Sequence, residues 1–124
     1  MLETLEGVAG LDDHSLECTD GDLSEWRVRA PGVDVWVKLH AGHPDMVRVS
    51  STVLTHADES IELLRELLQL NTAAVGLRYC FEDGVVRVMA DLRCTELTSL
   101  SATVGEVAAA ARTYRPMLAA FIAA

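Results

Sequence analysis

Leu77-Arg78-Tyr79-Cys80-Phe81-Glu82-Asp83-Gly84-Val85-Val86-Arg87-Val88-Met89-Ala90 reads as two alternating strands around a tight turn, and the rest of the chain takes its place from it. Asp and Gly both tolerate positive φ, as a two-residue hairpin turn requires. Counting outward from Asp83-Gly84 pairs Phe81 with Val86, Tyr79 with Val88 and Leu77 with Ala90. All six side chains share one face, leaving Arg78, Cys80, Arg87 and Met89 on the other. Turn chemistry and hydrophobic alternation agree on this register.

Upstream, the same period of two begins after Ser24. Trp26, Val28 and Ala30 alternate with Glu25, Arg27 and Arg29. Beyond Pro31-Gly32 come Val33, Val35, Val37 and Leu39, and beyond a loop expected at His40–Asp45 come Val47, Val49, Ser51 and Val53. Three antiparallel strands follow. A turn at Pro31-Gly32 sets Val28 opposite Val35 and Arg29 opposite Asp34, although Pro-Gly suits a type II turn better than the primed types. Between these strands and the hairpin lies a helix. Thr55 is placed to start it, with Asp58 and Glu59 in its first turn. Ile61, Leu64 and Leu68 share one stripe with Leu63, Leu67 and Leu70 close by, so the expected buried face is broad, and Asn71 is the expected stop.

Downstream, Leu97, Leu100, Val104, Val107, Ala111, Tyr114, Leu118 and Phe121 are spaced alternately by three and four, which predicts a closing helix with a bend at Pro116. At the other end, residues 1–25 hold eight acids and no Lys or Arg. Leu2, Leu5 and Val8 allow a short helix there, so residues 1–23 read as an acidic arm or short helix. The expected fold is α+β: a five-stranded antiparallel sheet with helices on one face, in the order α-β-β-β-α-β-β-α, within a single domain spanning 1–124.

The chain of 124 residues carries 19 acidic and 10 basic side chains, a net charge of −9. That balance argues against nucleic acid and anionic membrane as partners. No uncharged run reaches about 18 residues, so no spanning helix is expected. The first ten residues hold two acids and no base, so a secretory leader is not expected either. Cys18, Cys80 and Cys94 show no metal or redox spacing, and a reducing cytoplasm suits them.

No catalytic constellation emerges. His40 and His43, three apart in HAGH, lack a convincing third ligand, so no metal and no cofactor is expected. Phosphate-binding glycine loops are absent. One charge pattern stands out. Arg27, Arg29, Lys38, Arg48, Arg78 and Arg87, six of the ten basic residues, fall on the polar parity of their strands. Trp36, Met46 and Met89 are interleaved with them. Aromatic and Met surface beside Arg is the composition of an interface, so Arg27, Trp36, Lys38, Met46, Arg48, Arg78, Arg87 and Met89 form the candidate partner-binding face.

The stretch from Glu62 to Leu100 carries a family resemblance. A leucine-rich helix (Leu67, Leu68) ends in Asn71, followed by Gly76, a strand to Phe81, Asp83-Gly84, a strand to Leu92, and a final helix from Leu97. This resembles the YbjN-like family, similar in fold to type III secretion chaperones. The resemblance covers residues 55–121. It implies a small acidic protein, dimeric and without enzymatic activity, that binds a client polypeptide. Two other functions remain open on charge and fold alone: a small-ligand-sensing regulatory domain, and an acidic immunity-type inhibitor of a basic protein.

A homodimer is also expected from the helices. A final helix of about 25 residues would run to ~38 Å, whereas five strands span only ~24 Å. Apolar surface that overhangs a sheet is commonly covered by a second copy. Leu64, Leu68, Leu100, Val104, Val107 and Tyr114 are the candidates for a dimer or core seam.

Overall fold

The computed structural model describes residues 15–18, 25–40 and 43–123. Strands β1 (Ser15–Cys18), β2 (Glu25–Ala30), β3 (Val33–His40) and β4 (His43–Leu54) precede helix α1 (Ile61–Ala73). The hairpin β5 (Arg78–Glu82) and β6 (Val85–Arg93) follows, and helix α2 (Leu100–Leu118) closes the chain between short 3₁₀ turns at Cys94–Ser99 and Ala119–Phe121. The strands form one antiparallel sheet in the order β1-β2-β3-β4-β6-β5. All five expected strands are present, and Ser15–Cys18 adds a sixth beside β2, within the segment read as an acidic arm. The first expected helix lies outside the described residues.

The hairpin register is the one that the sequence dictates. Phe81 pairs with Val86 and Tyr79 with Val88, and β5 begins at Arg78, just after Leu77. Asp83 and Gly84 take φ values of 50° and 78°, the left-handed pair that a primed turn needs. At the other hairpin Val28 pairs with Val35 and Arg29 with Asp34. Gly32 supplies the positive φ of 78°, which proline cannot. The loop expected at His40–Asp45 is shorter than anticipated: β4 starts at His43, directly opposite His40.

The core lies between the inward face of the sheet and the helices. Val28, Val35, Val37, Val47, Val49, Val86 and Val88 are all buried, and so is Trp26. Ser51 continues their parity and is also buried; its hydroxyl donates to the Asp34 carbonyl at 2.7 Å, which satisfies the polar atom inside the core. Leu100, Val104 and Val107 of α2 reach zero exposure against this face. Tyr114 meets Tyr79 edge to face at 5.6 Å. These four candidates for a seam therefore belong to the protomer's own core.

Helix α2 has 19 residues, about 28 Å at 1.5 Å per residue. Residues at both of its ends, Leu100 and Leu118, are buried. The overhang expected of a longer helix is largely absent. Near its C-terminal end, Arg115 donates to the carbonyls of Thr52, Val53 and Gly32 at 3.0–3.2 Å. Arg112 donates to that of Pro31 at 2.8 Å. The register of β4 against β6 shifts between Thr52 and Leu54. Such a bulge disrupts the ladder, and the guanidinium fork supplies donors there.

Helix α1 departs from expectation in three ways. Its cap is Ser60, whose hydroxyl accepts from Leu63 N–H at 3.1 Å, and Thr55 lies outside it. Leu63 and Leu67 are its buried residues, while Ile61, Leu64 and Leu68 face outward. The broad buried face expected of this helix is thus narrowed to the side of Leu63 and Leu67, with Leu70 partly buried beside them. Asn71 does not stop the helix, which continues to Ala73. Its side chain instead donates to the Tyr79 carbonyl at 2.9 Å and accepts from the Tyr79 N–H at 2.6 Å.

Candidate functional site

Alternation places the predicted basic residues together on the outward face of the sheet. Cross-strand partners form rows. One row runs Glu25, Lys38, Arg48, Asp91; the next runs Arg27, Trp36, Ser50, Met89, Arg78; the third includes Thr52, Arg87 and Cys80. Met46 lies beyond the first row, opposite Arg93. All eight predicted residues are therefore on strands of one sheet. They differ in access: Lys38 and Arg78 are exposed, Arg27, Trp36, Met46, Arg48 and Arg87 are half-buried, and Met89 is only 8 % exposed. Met89 offers little surface for a partner to touch.

Side-chain size along the rows shapes this face. Ser50 and Thr52 on β4 are small, whereas Trp36 on β3 and Met89 and Arg87 on β6 are large. A trough of about 440 Å³ results, lined by Trp36, Lys38, Arg48, Ser50, Thr52 and Arg87, with Glu25 at one end. Past Trp36 and Thr52 it adjoins a second concavity of about 620 Å³ around the Pro31-Gly32 turn. The Arg27 guanidinium sits 5.9 Å from the Trp36 ring centroid, within cation–π range.

The face also carries acids that the search for basic residues passed over. Asp91 accepts from Arg48 Nε at 3.0 Å and from Arg78 Nη2 at 2.8 Å. Glu25 lies 3.8 Å from Lys38 Nζ. Asp91 shares the parity of Arg87 and Met89, so the signal was present in β6. Arg87 has no hydrogen-bond or ion-pair partner among the described residues.

Burial pushes the Asp91 carboxyl up, but the hydrogen bonds and charges of Arg48 and Arg78 outweigh it, and the group titrates below its ordinary value. A carboxyl lowered by folding stabilises the fold above its unfolded pKa of about 3.9 and ceases to as pH falls through the folded value. Asp91→Asn is therefore expected to cost about 1 kcal/mol at neutral pH. In thermal melts the gap between wild type and variant should close below about pH 4.

No group of three or more potential metal ligands occurs among the described residues, and no helix there is long and apolar enough to cross a membrane. A half-buried aromatic ring, a shallow trough and flanking cations make a surface suited to an extended polypeptide. The geometry defines an α+β domain with one antiparallel sheet whose outward face is open. The chain belongs to the TY-Chap1 family, T3SS (YopN, CesT) and YbjN peptide-binding chaperone 1, whose model matches residues 3–122. Among solved structures, the fold is similar to that in the HopA1–SchA chaperone–effector complex, with a TM-score of 0.65, 12% identity and 93% of each chain covered. It is also similar to that in the ExsC–ExsE complex, with a TM-score of 0.59, 17% identity, and 85% of this chain and 75% of that chain covered. At these identities the likeness is one of fold. No curated protein sequence matches the chain.

Proposed function

We propose that the protein is a non-enzymatic, cytoplasmic chaperone-like module that holds an extended segment of a client polypeptide against the outward face of its sheet. The observation that carries this reading is the trough beside Trp36, set among the cations of neighbouring strands. Membership of a peptide-binding chaperone family supports it, as does a fold shared with the SchA and ExsC complexes. Residues 1–124 act as one domain in this reading. The test is to place a photo-reactive residue at Ser50 in the trough, with Glu106 on the exposed side of α2 as control. Client polypeptide cross-linked at 50 and absent at 106 is the expected result. A tightly held small molecule with no cross-linked polypeptide would overturn the reading.

The module works as a homodimer, with α1 as the seam. Ile61, Leu64 and Leu68 are 65%, 40% and 67% exposed along one side of that helix. Leaving three large apolar side chains in water is unfavourable, and a symmetric copy presents the same stripe to cover them. Light scattering at micromolar concentration should give a mass near twice 13.4 kDa. Leu68→Glu should return it to that of one chain. A wild-type mass of one chain would show that α1 is not a seam.

A further inference from the structure

We propose that the client segment held in the trough is acidic: an extended peptide that offers an Asp or Glu carboxylate to Arg87, Ser50 and Thr52 and an apolar side chain to Trp36. This rests on the peptide-holding reading above and adds the chemical class of the partner. The chemistry of the lining is one-sided. The Ser50 and Thr52 hydroxyls can donate, and a guanidinium has five N–H donors and no acceptor. Lys38 and Arg48 add two further cations, against the single carboxylate of Glu25. Arg48 is held by Asp91 and Lys38 stands beside Glu25, whereas Arg87 has no such partner among the described residues. Half-buried in the trough wall, Arg87 is a cation to which an incoming carboxylate would bring its first ion pair.

The surrounding charge sharpens the selection. The chain carries −9 overall, so a basic segment would be drawn to many parts of the surface without preference. An acidic segment is repelled by most of the molecule and finds its complement on this face, which confers register as well as attraction. The Trp36 wall supplies the contact that charge alone does not. In an extended chain, alternate residues point the same way about 6.8 Å apart, so one segment can set apolar and acidic side chains against successive rows.

The probes are three fluorescein-labelled dodecapeptides, repeats of Leu-Ser-Glu-Ser, Leu-Ser-Gln-Ser or Leu-Ser-Lys-Ser that place Leu and the varied residue on one face of an extended chain, titrated into the full chain by fluorescence anisotropy. The Glu peptide is expected to bind tightest and to weaken with added salt. Arg87→Glu should weaken it by roughly tenfold and strengthen the Lys peptide. Arg87→Gln, a milder change, should lie between, and serves if the reversal impairs folding. Equal or tighter binding of the Gln or Lys peptide to wild type, or indifference of the Glu peptide to Arg87→Glu and Arg87→Gln, overturns the acidic class. If such binding is still lost in Trp36→Ala, the peptide-holding reading stands without it. Binding of no peptide, with cross-links still formed at position 50, also overturns the acidic class alone. Binding of none and no cross-link overturns both.

Discussion

Leu63→Ala is expected to lower the unfolding free energy by about 3 kcal/mol. Leu63 has zero exposure and is, with Leu67, one of the two buried residues of α1. Truncation removes the transfer free energy of the lost carbons and leaves a cavity that a helix anchored at so few points only partly closes. Since Leu63 is the most buried anchor of α1 and lies in its first turn, the loss should be visible as detachment of that end of the helix as well as reduced global stability. Amide exchange along 61–73 should accelerate more than that of β3 and β4. Leu68→Ala is the informative contrast. Leu68 is 67% exposed, so the protomer's own stability should change by less than about 0.5 kcal/mol. Any fall in Tm caused by Leu68→Ala should depend on protein concentration, because it acts on association. The Leu63→Ala loss should persist at every concentration. A concentration-independent fall of equal size for both variants would mean that α1 is oriented differently.

The contrast between Leu63 and Leu68 also shows where the sequence stopped being informative. Strands were legible because a period of two leaves only two faces, and a turn such as Asp83-Gly84 fixes the register between them. The pairs Phe81–Val86 and Val28–Val35 followed directly. Helix α1 has leucine or isoleucine at 61, 63, 64, 67, 68 and 70, so apolar residues occupy most of its circumference. A periodicity argument cannot orient such a helix: the broad buried face that the pattern suggests holds at Leu63, Leu67 and, in part, Leu70, and fails at Ile61, Leu64 and Leu68. The candidate face was legible in membership for the same reason as the strands: parity decides it. Its relief was not, because the trough depends on small Ser50 and Thr52 lying beside large Trp36 and Arg87 across strands whose pairing spans dozens of residues. Asp91 was missed for a simpler reason. A search for cations does not collect the carboxylate that ties two of them together.

Asn71→Ala is expected to cost about 2–3 kcal/mol, more than a polar substitution at an exposed helix position normally does. Among the described residues, β5 is the last strand of the sheet and pairs only with β6. The Tyr79 N–H and C=O, having no strand partner on the outer side, are both met by the Asn71 side-chain amide at 2.6 and 2.9 Å. A carboxamide carries one acceptor and two donors, the complement that a neighbouring strand's peptide group would present. The residue therefore stands in for a seventh strand at one position and ties the last turns of α1 to the sheet. Removing it strands two backbone groups of a residue that is 6 % exposed. Asn71→Asp separates this account from simple loss of helix propensity. It keeps the acceptor for the Tyr79 N–H but sets a carboxylate against the Tyr79 carbonyl, so it should recover little of the loss. Asn71→Gln, with the same amide one carbon further out, should recover part of it. The Tyr79 amide should exchange faster in both the Ala and Asp variants. An unpaired edge also invites strand addition from another chain, so both variants should form larger species on concentration. If instead Asn71→Ala melts within about 0.5 kcal/mol of wild type and the Tyr79 amide keeps its protection, Asn71 is a surface residue and the edge of β5 is secured by other means.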